Sequence, residues 1–341
     1  MRKKRVIQQA LISLDAKNMN IESLKGIEYA RNLKHLRLCA NRISDLRPLS
    51  ELTQLTKLDL SGNPIMDISA LSVMVDLREL HLSGTSIYDQ LTLPIITTPD
   101  PGHLVDISPL SSLTQLVKLD ISENQVIDIS PLSSLIQLGK LGIGNNQIAD
   151  ISPLAKLGNL SELDLFENRI CDVTPIAGLV NLQNLKIGMN KIVDISALSS
   201  LVNLEWLDVS TNRVENISVL SDLENLEAID LSRNSIGDIS ALANLKNLKQ
   251  LDLMYNNVSD ISALVNMGPF YSVMLDNNPL NEDAYEKYLP ILEQKCLNLT
   301  YSPDPYSQKR LKLVYVAIGV GLAVLVIISR ELWCRWQTRC S

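Results

Sequence analysis

LTKLDLSGN at residues 55–63, LVKLDISEN at 116–124, LSELDLFEN at 160–168, LEWLDVSTN at 204–212 and LKQLDLMYN at 248–256 are copies of one phrase, LxxLxLxxN. The copies recur with a period of 22 residues, and the closing Asn falls at Asn41, Asn63, Asn124, Asn146, Asn168, Asn190, Asn212, Asn234, Asn256 and Asn278. With Met19 and Thr85 in imperfect Asn positions, the chain holds twelve repeats. Alternation in LxL marks a short strand with one face inward, and a lone strand of that length cannot bury its Leu face, so successive copies must stack into a parallel sheet. Twelve strands spaced by about 4.8 Å make an arc on the order of 50 Å long. The Asn stands where the chain turns inward. Its amide offers donors and an acceptor to backbone groups that stacking removes from water, so the ten residues are expected to form a structural ladder and not a binding site.

Each Asn is followed by IxDISPL or a variant, as in Asp128-Ile129-Ser130-Pro131-Leu132 and Asp150-Ile151-Ser152-Pro153-Leu154. Ser before Pro or Ala reads as a helix start, with the hydroxyl capping a free N–H and Pro fixing φ in the first turn. Each repeat therefore returns through a short helical or 3₁₀ turn on the convex side, and the Asp is expected to bond the loop and not a ligand. LxxLxLxxN joined to NxIxDISPL at this period resembles the internalin-type leucine-rich repeats of bacteria, and the related repeats of a eukaryotic phosphatase-regulatory subunit. The resemblance covers about residues 11 to 301. It takes in NIESLKGIEYARNLKHL, similar to the first repeat of many bacterial members, and NPLNEDAYEKYLPILEQKCLNLTY, similar to their closing cap. In that cap Glu282 to about Lys295 reads as an amphipathic helix carrying Tyr285, Tyr288, Leu289 and Leu292, followed by an extended Leu297 to Tyr301 that shields the last repeat. What the resemblance implies is an α/β solenoid, a leucine-rich-repeat horseshoe that recognises a partner, without saying which.

The remaining composition fits this reading. Only 4% of residues are aromatic, so the core must be aliphatic. The formal charge is −7, yet residues 309 to 341 hold six Lys/Arg against one Glu, so the body is more acidic than the whole chain. An acidic body repels phosphate backbones, which argues against nucleic acid. The five cysteines are scattered without CxxC spacing, and His35, His81 and His103 lack metal-ligand spacing. No Ser lies in GxSxG, and Gly142-Ile143-Gly144 lacks the third glycine of a dinucleotide loop. Carboxylates repeated in columns share one environment, whereas acid–base chemistry needs environments that differ. The sequence therefore predicts neither an enzyme nor a small-molecule substrate, and no cofactor or metal.

Along the chain, residues 1–10 form a basic leader or partial cap, 11–280 the repeats, 281–301 the C-terminal cap, 302–310 a linker, 311–329 a transmembrane helix and 330–341 a basic tail. The stretch LKLVYVAIGVGLAVLVIIS at 311–329 has no charge from Leu313 to Ile328. As a helix it is about 28 Å long, close to the hydrocarbon thickness of a bilayer, with Trp333 and Trp336 placed for an aromatic belt. A buried terminal helix is the alternative. Lys309, Arg310 and Lys312 before it balance Arg330, Arg335 and Arg339 after it, so charge does not orient the span. MRKKRVIQQALISLDA has no apolar h-region, which predicts a cytosolic, tail-anchored solenoid, or a surface protein if the true start lies upstream.

A partner is expected on the concave face. Most variable strand positions there carry Ser, Gly, Asp or Lys, while Phe166, Met189, Trp206, Met254 and Tyr255 stand out in repeats seven to eleven. Large apolar or aromatic side chains there read either as contact anchors or as cover for neighbouring repeats. A second column holds Asp59, Asp120, Asp164, Asp208, Asp230 and Asp252, of which the last three come from adjacent repeats and form a row of like charge. That row is either solvated or relieved by a basic partner. The insertion Tyr88 to Leu104, YDQLTLPIITTPDPGHL, carries Pro94, Pro99 and Pro101 and reads as an extended loop that docks on a partner or on the solenoid. The predicted function is a membrane-anchored, non-catalytic recognition module for a protein, or else a glycan. A cytosol-facing regulatory scaffold is the runner-up and an adhesion spacer the third reading.

Overall fold

The computed structural model describes residues 11–84 and 103–306. Thirteen strands make one sheet whose spatial order is the order of the chain, β1 (Ser13–Asp15) to β13 (Cys296–Thr300), and every pair is parallel. The intervening strands are β2 (His35–Arg37), β3 (Lys57–Asp59), β4 (Glu79–His81), β5 (Lys118–Asp120), β6 (Lys140–Gly142), β7 (Glu162–Asp164), β8 (Asn184–Lys186), β9 (Trp206–Asp208), β10 (Ala228–Asp230), β11 (Gln250–Asp252) and β12 (Phe270–Met274). The twelve repeats supply β1–β12, and the extended end of the cap supplies the thirteenth strand instead of merely covering the edge.

Register follows the repeat: Leu36 stands beside Leu58, Leu141 beside Leu163 and Leu207 beside Ile229. The middle residue of each three-residue strand points inward, as do Val273 in β12 and Leu299 in β13, so the core is a stack of mainly Leu and Ile layers, most of them fully buried. The insertion leaves this register untouched, because β4 pairs directly with β5, Leu80 beside Leu119. Leu104 is buried and its N–H donates to Asn124 Oδ1, as Val126 N–H does to Asn146 Oδ1. Leu104 is thus the repeat's own core residue, and the inserted segment ends at His103, one residue earlier than the sequence reading placed it.

Each Asn of the ladder works in both directions. Asn168 donates from Nδ2 to Ile143 O (3.0 Å) and Leu165 O (3.1 Å), and accepts at Oδ1 from Ile148 N–H (3.0 Å). The same set recurs from Asn41 to Asn278. One side chain therefore ties its own strand end to the repeat before it, and groups that stacking hides from water are satisfied.

Across the core the chain returns through 3₁₀ turns such as Ser130–Ser134 and Ser152–Lys156. The start of these turns differs from the expected hydroxyl cap. An Ile occupies the cap position, and the Ser N–H donates to the Asp two residues earlier, as in Ser152 to Asp150 Oδ1 at 2.8 Å. The Ser hydroxyl also turns to that Asp, as Ser130 Oγ does to Asp128 Oδ2. A carboxylate accepts from both groups at once, which a hydroxyl cannot match, so the Asp becomes the local anchor. These bonds hold the carboxyls of Asp67, Asp106, Asp150, Asp194 and Asp238 below the usual range.

A second asparagine ladder runs outside the first. Asn159, Asn181, Asn203, Asn225 and Asn247 each donate from Nδ2 to a carbonyl of the preceding repeat at 2.8–3.0 Å, and all five are exposed. The cap opens as a π-turn at Ala284–Tyr288 and continues as α1 (Leu289–Lys295), burying Leu289 and Leu292, with Tyr285 edge-on to Tyr301.

The expected basic leader or partial cap at residues 1–10, most of the insertion and the expected membrane helix at 311–329 lie outside the described residues. Among the described residues no helix is long and apolar enough to cross a membrane.

Candidate binding face

Two columns of strand side chains face away from the core. The first runs His35, Lys57, Glu79, Lys118, Lys140, Glu162, Asn184, Trp206, Ala228, Gln250 and Ser272; the second runs Arg37, Asp59, His81, Asp120, Gly142, Asp164, Lys186, Asp208, Asp230, Asp252 and Met274. Phe166 and Met254 lie two residues beyond β7 and β11, half-buried beside the second column. Met189 and Tyr255 are placed differently from the sequence expectation. They fall in the turn after the strand, at φ 52° and 57°, a left-handed position held in other repeats by Ala40, Glu123, Asn145, Glu167, Thr211 and Arg233. At 40% and 44% exposure they rim the face instead of lining it. The Asn ladder fixes the turn so firmly that a bulky residue is tolerated where glycine would be expected.

Repeat to repeat, most charges on the first eight strands are matched, with Lys118 beside Lys140 as the departure. Arg37 lies 3.1 Å from Asp15 and 3.8 Å from Asp59, Lys57 is 2.6 Å from Glu79, Lys140 pairs with Glu162, and Lys186 is 3.3 Å from Asp164. His81 Nδ1 is 3.9 Å from Asp120. Burial works against the Asp120 carboxylate, but hydrogen bonds from His81 and Ser122 prevail and hold its pKa below the ordinary value.

From β9 onward the matching within these two columns stops, although Lys249 and Glu227, one residue before β11 and β10, pair at 2.7 Å. Trp206, Ala228 and Gln250 leave the first column without the charges it holds from Lys57 to Glu162, and Asp208, Asp230 and Asp252 are direct neighbours in register. Among the described residues none of these three closes an ion pair. Burial, with Asp230 adding repulsion, raises Asp208. Burial, with Asp230 and Asp276 beside it, pushes Asp252 up to about 6. Each of the three also accepts a backbone N–H two residues on, from Ser210 (2.8 Å), Ser232 (2.9 Å) and Met254 (2.9 Å), so the aspartates shape their own strand ends as well as the surface. That local role explains why Asp recurs in the column, and it is shared by Asp59, Asp120 and Asp164.

Trp206 packs against Lys186, whose ammonium lies 5.3 Å from the ring centroid, and Arg233 lies 4.3 Å over Tyr255. Beside Trp206 the absence of a side chain at Gly142 opens a shallow hollow of about 440 Å³, flanked by Lys118, Lys140, Asp164 and Lys186. Two of its lysines are held by carboxylates of the lining, Lys140 by Glu162 and Lys186 by Asp164. Among the described residues no group of His, Cys, Asp and Glu is arranged to hold a metal ion.

An internalin (inlF) of Listeria monocytogenes superposes with a TM-score of 0.74 at 34% identity, over 88% of this chain and 89% of that one. The chain belongs to the internalin-type leucine-rich-repeat family. A second internalin, C2 of the same organism, matches this internalin-type chain at 35% identity and a TM-score of 0.52, over 60% of this chain and 82% of that one. A leucine-rich-repeat protein of Leptospira interrogans shares the fold at a TM-score of 0.68 and 22% identity, over 89% of this chain and 86% of that one. The family model for Leucine Rich repeats (2 copies) matches residues 31–73, 136–178 and 224–266. No curated protein sequence matches. Leucine-rich repeats of this kind are typically protein-interaction modules.

Proposed function

We propose that this internalin-type solenoid is a non-catalytic recognition module that binds a protein partner on the concave face of repeats seven to eleven. The observation that carries the reading is the concentration of Phe166, Trp206 and Met254 on columns otherwise filled by small or charged residues, with Met189 and Tyr255 on the adjoining rim. Large rigid side chains release water over a wide area at low entropic cost, which makes them the natural anchors of an interface. Asp208, Asp230 and Asp252 lie among them and belong to the same contact area. The partition of the chain proposed with it is repeats at 11–280, a cap at 281–301, a linker at 302–310, a membrane anchor at 311–329 and a basic tail at 330–341. The uncharged run from Leu313 to Ile328 supports the anchor.

The test is capture of a partner from the native host by the full chain, compared with Phe166→Ala/Trp206→Ala. Loss of capture by a double mutant that unfolds at the same temperature as the parent is expected. Undiminished capture would remove the face from consideration. Protease treatment of intact cells, with and without lysis, reads out which side of the membrane the solenoid occupies.

A further inference from the structure

We infer that the occupant of the concave face over β9–β12 is a basic segment of a protein, whose lysine or arginine side chains lie along Asp208, Asp230 and Asp252 and whose apolar atoms rest on Trp206 and Met254. The inference builds on the proposed function and names the chemistry of its partner.

Three observations lead there. On β1–β8 Arg37, Lys57, Lys140 and Lys186 each meet a carboxylate of a neighbouring repeat, with Lys118 beside Lys140 as the departure, so a basic partner gains less there. On β9–β11 the second column carries three carboxylates in register, about 4.8 Å apart, while Trp206, Ala228 and Gln250 leave the first column without the charges it holds from Lys57 to Glu162. The imbalance has a cost in the free protein: Asp208 is only 7% exposed, and Asp230 faces a carboxylate on either side. An external cation removes that repulsion, and it does so at a surface where water is already partly excluded, so the attraction is stronger than at an open acidic patch.

The apolar neighbours decide between a free cation and a polypeptide. Trp206 and Met254 flank the row, and Met274 follows Asp252 in the column. A lysine or arginine stem would lie along these atoms while its head reaches a carboxylate, a division of labour that a metal ion cannot use. The row repeats at the strand spacing and spans three repeats, which suits a segment bearing several basic side chains and not a single one.

The charged groups facing the row are few. Asp208 meets Lys186 on β8 and Asp230 on β10, while Asp252 meets Asp230, Asp276 beyond β12 and Arg233 in the turn after β10. A bound cation favours the ionised carboxylates, so affinity must fall as pH drops and protons compete.

The experiment uses the full chain and a fluorescein-labelled hexalysine peptide at low ionic strength, read by anisotropy, with a hexaglutamate peptide as the opposite probe. Hexalysine is expected to bind saturably at pH 7.5, with roughly tenfold weaker binding at pH 5.0, where a carboxyl titrating near 6 is about nine-tenths protonated. Asp208→Asn/Asp230→Asn/Asp252→Asn is expected to abolish binding. Glu215→Gln/Asp222→Asn/Glu224→Gln, which removes equal charge away from the row, is expected to bind as the parent does. Equal binding by both triple variants would show mere attraction to an acidic protein and overturn the inference, as would failure of hexalysine to bind the parent. Either result leaves the Phe166/Trp206 capture experiment intact, so a wrong partner chemistry is separable from a wrong binding face.

Discussion

Replacing Asn168 by alanine should cost several times more than replacing Asn159, although both asparagines bond the preceding repeat. Asn168 is 9% exposed and its amide satisfies Ile148 N–H, Ile143 O and Leu165 O. Alanine leaves one buried donor and two acceptors without this partner. At about 1 kcal/mol net for each lost bond the sum is roughly 3 kcal/mol, and more if water cannot enter the gap. Asn159 makes a single bond to Ile136 O at an exposed site, where water replaces the amide, so its loss should cost about 0.5 kcal/mol. Urea denaturation of the repeat region followed by circular dichroism gives both values from the midpoint shift, provided the slope is unchanged. Asn168→Asp is a useful third variant: it keeps an acceptor for Ile148 N–H but turns oxygen toward two carbonyls, and it should be at least as damaging as alanine. If Asn168→Ala unfolds within error of Asn159→Ala, the buried ladder does not hold the repeats together and the argument from satisfied backbone groups fails.

Other consequences can be checked with the same material. Asp252 titrates near 6 in the fold against 3.8 for the free group, so the folded state takes up a proton that the unfolded state does not as pH falls through this window. Stability therefore declines as pH rises from about 4 to about 6; Asp252→Asn should raise Tm at pH 7.5 and leave it unchanged at pH 4. The full shift corresponds to about 3 kcal/mol, which partial solvent exposure reduces to about 1–2 kcal/mol. The turn aspartates act in the opposite sense: their carboxyls are lowered, so the stability they provide is complete above pH 4 and drains away as pH falls below it. Asp150→Ala should therefore lower Tm at pH 7 and flatten the acid side of the profile. Gly188→Ala would set a methyl 2.6 Å from Asp208 Oδ1 and 2.7 Å from Ser210 Oγ. It should cost about 1–3 kcal/mol by overpacking and displace Asp208, visible as a change in hexalysine affinity. Leu163→Ala, in the fully enclosed stack, should cost about 2–5 kcal/mol and lower the unfolding midpoint without altering the slope.

The fold was legible because each repeat presents the same problem and the same solution. Leu at alternating positions, Asn at the turn and Asp before Ser recur so often that their roles can be read from spacing alone. Three features escaped that reading for physical reasons. The outer ladder from Asn159 to Asn247 recurs at the same period and was available as a signal, but in repeats two to six the position holds Asn32, Gln54, Asp76, Gln115 and Gln137, which hides the column. The left-handed turn position carries Ala, Glu, Asn, Met, Thr, Arg and Tyr, with glycine at Gly62. Its conformation is imposed by neighbours and not by its own side chain, so nothing in Met189 or Tyr255 announces that they leave the strand. Charge matching escaped because adjacency alone does not say which long side chains reach one another. In the column from Lys57 to Glu162 the structure pairs Lys57 with Glu79 and Lys140 with Glu162, and the row at Asp208, Asp230 and Asp252, already visible in the sequence, becomes a departure from that pairing.

The direct pairing of β4 with β5 has a meaning for how such molecules change. Residues 79 and 118 meet as neighbours although a longer connection joins them than joins any other pair of adjacent repeat strands, and the layers on either side keep their register. The entropy of closing a loop grows only with the logarithm of its length. A turn just past an Asn position therefore works as a port in the scaffold, where sequence can be added or exchanged while the load-carrying stack remains as it was.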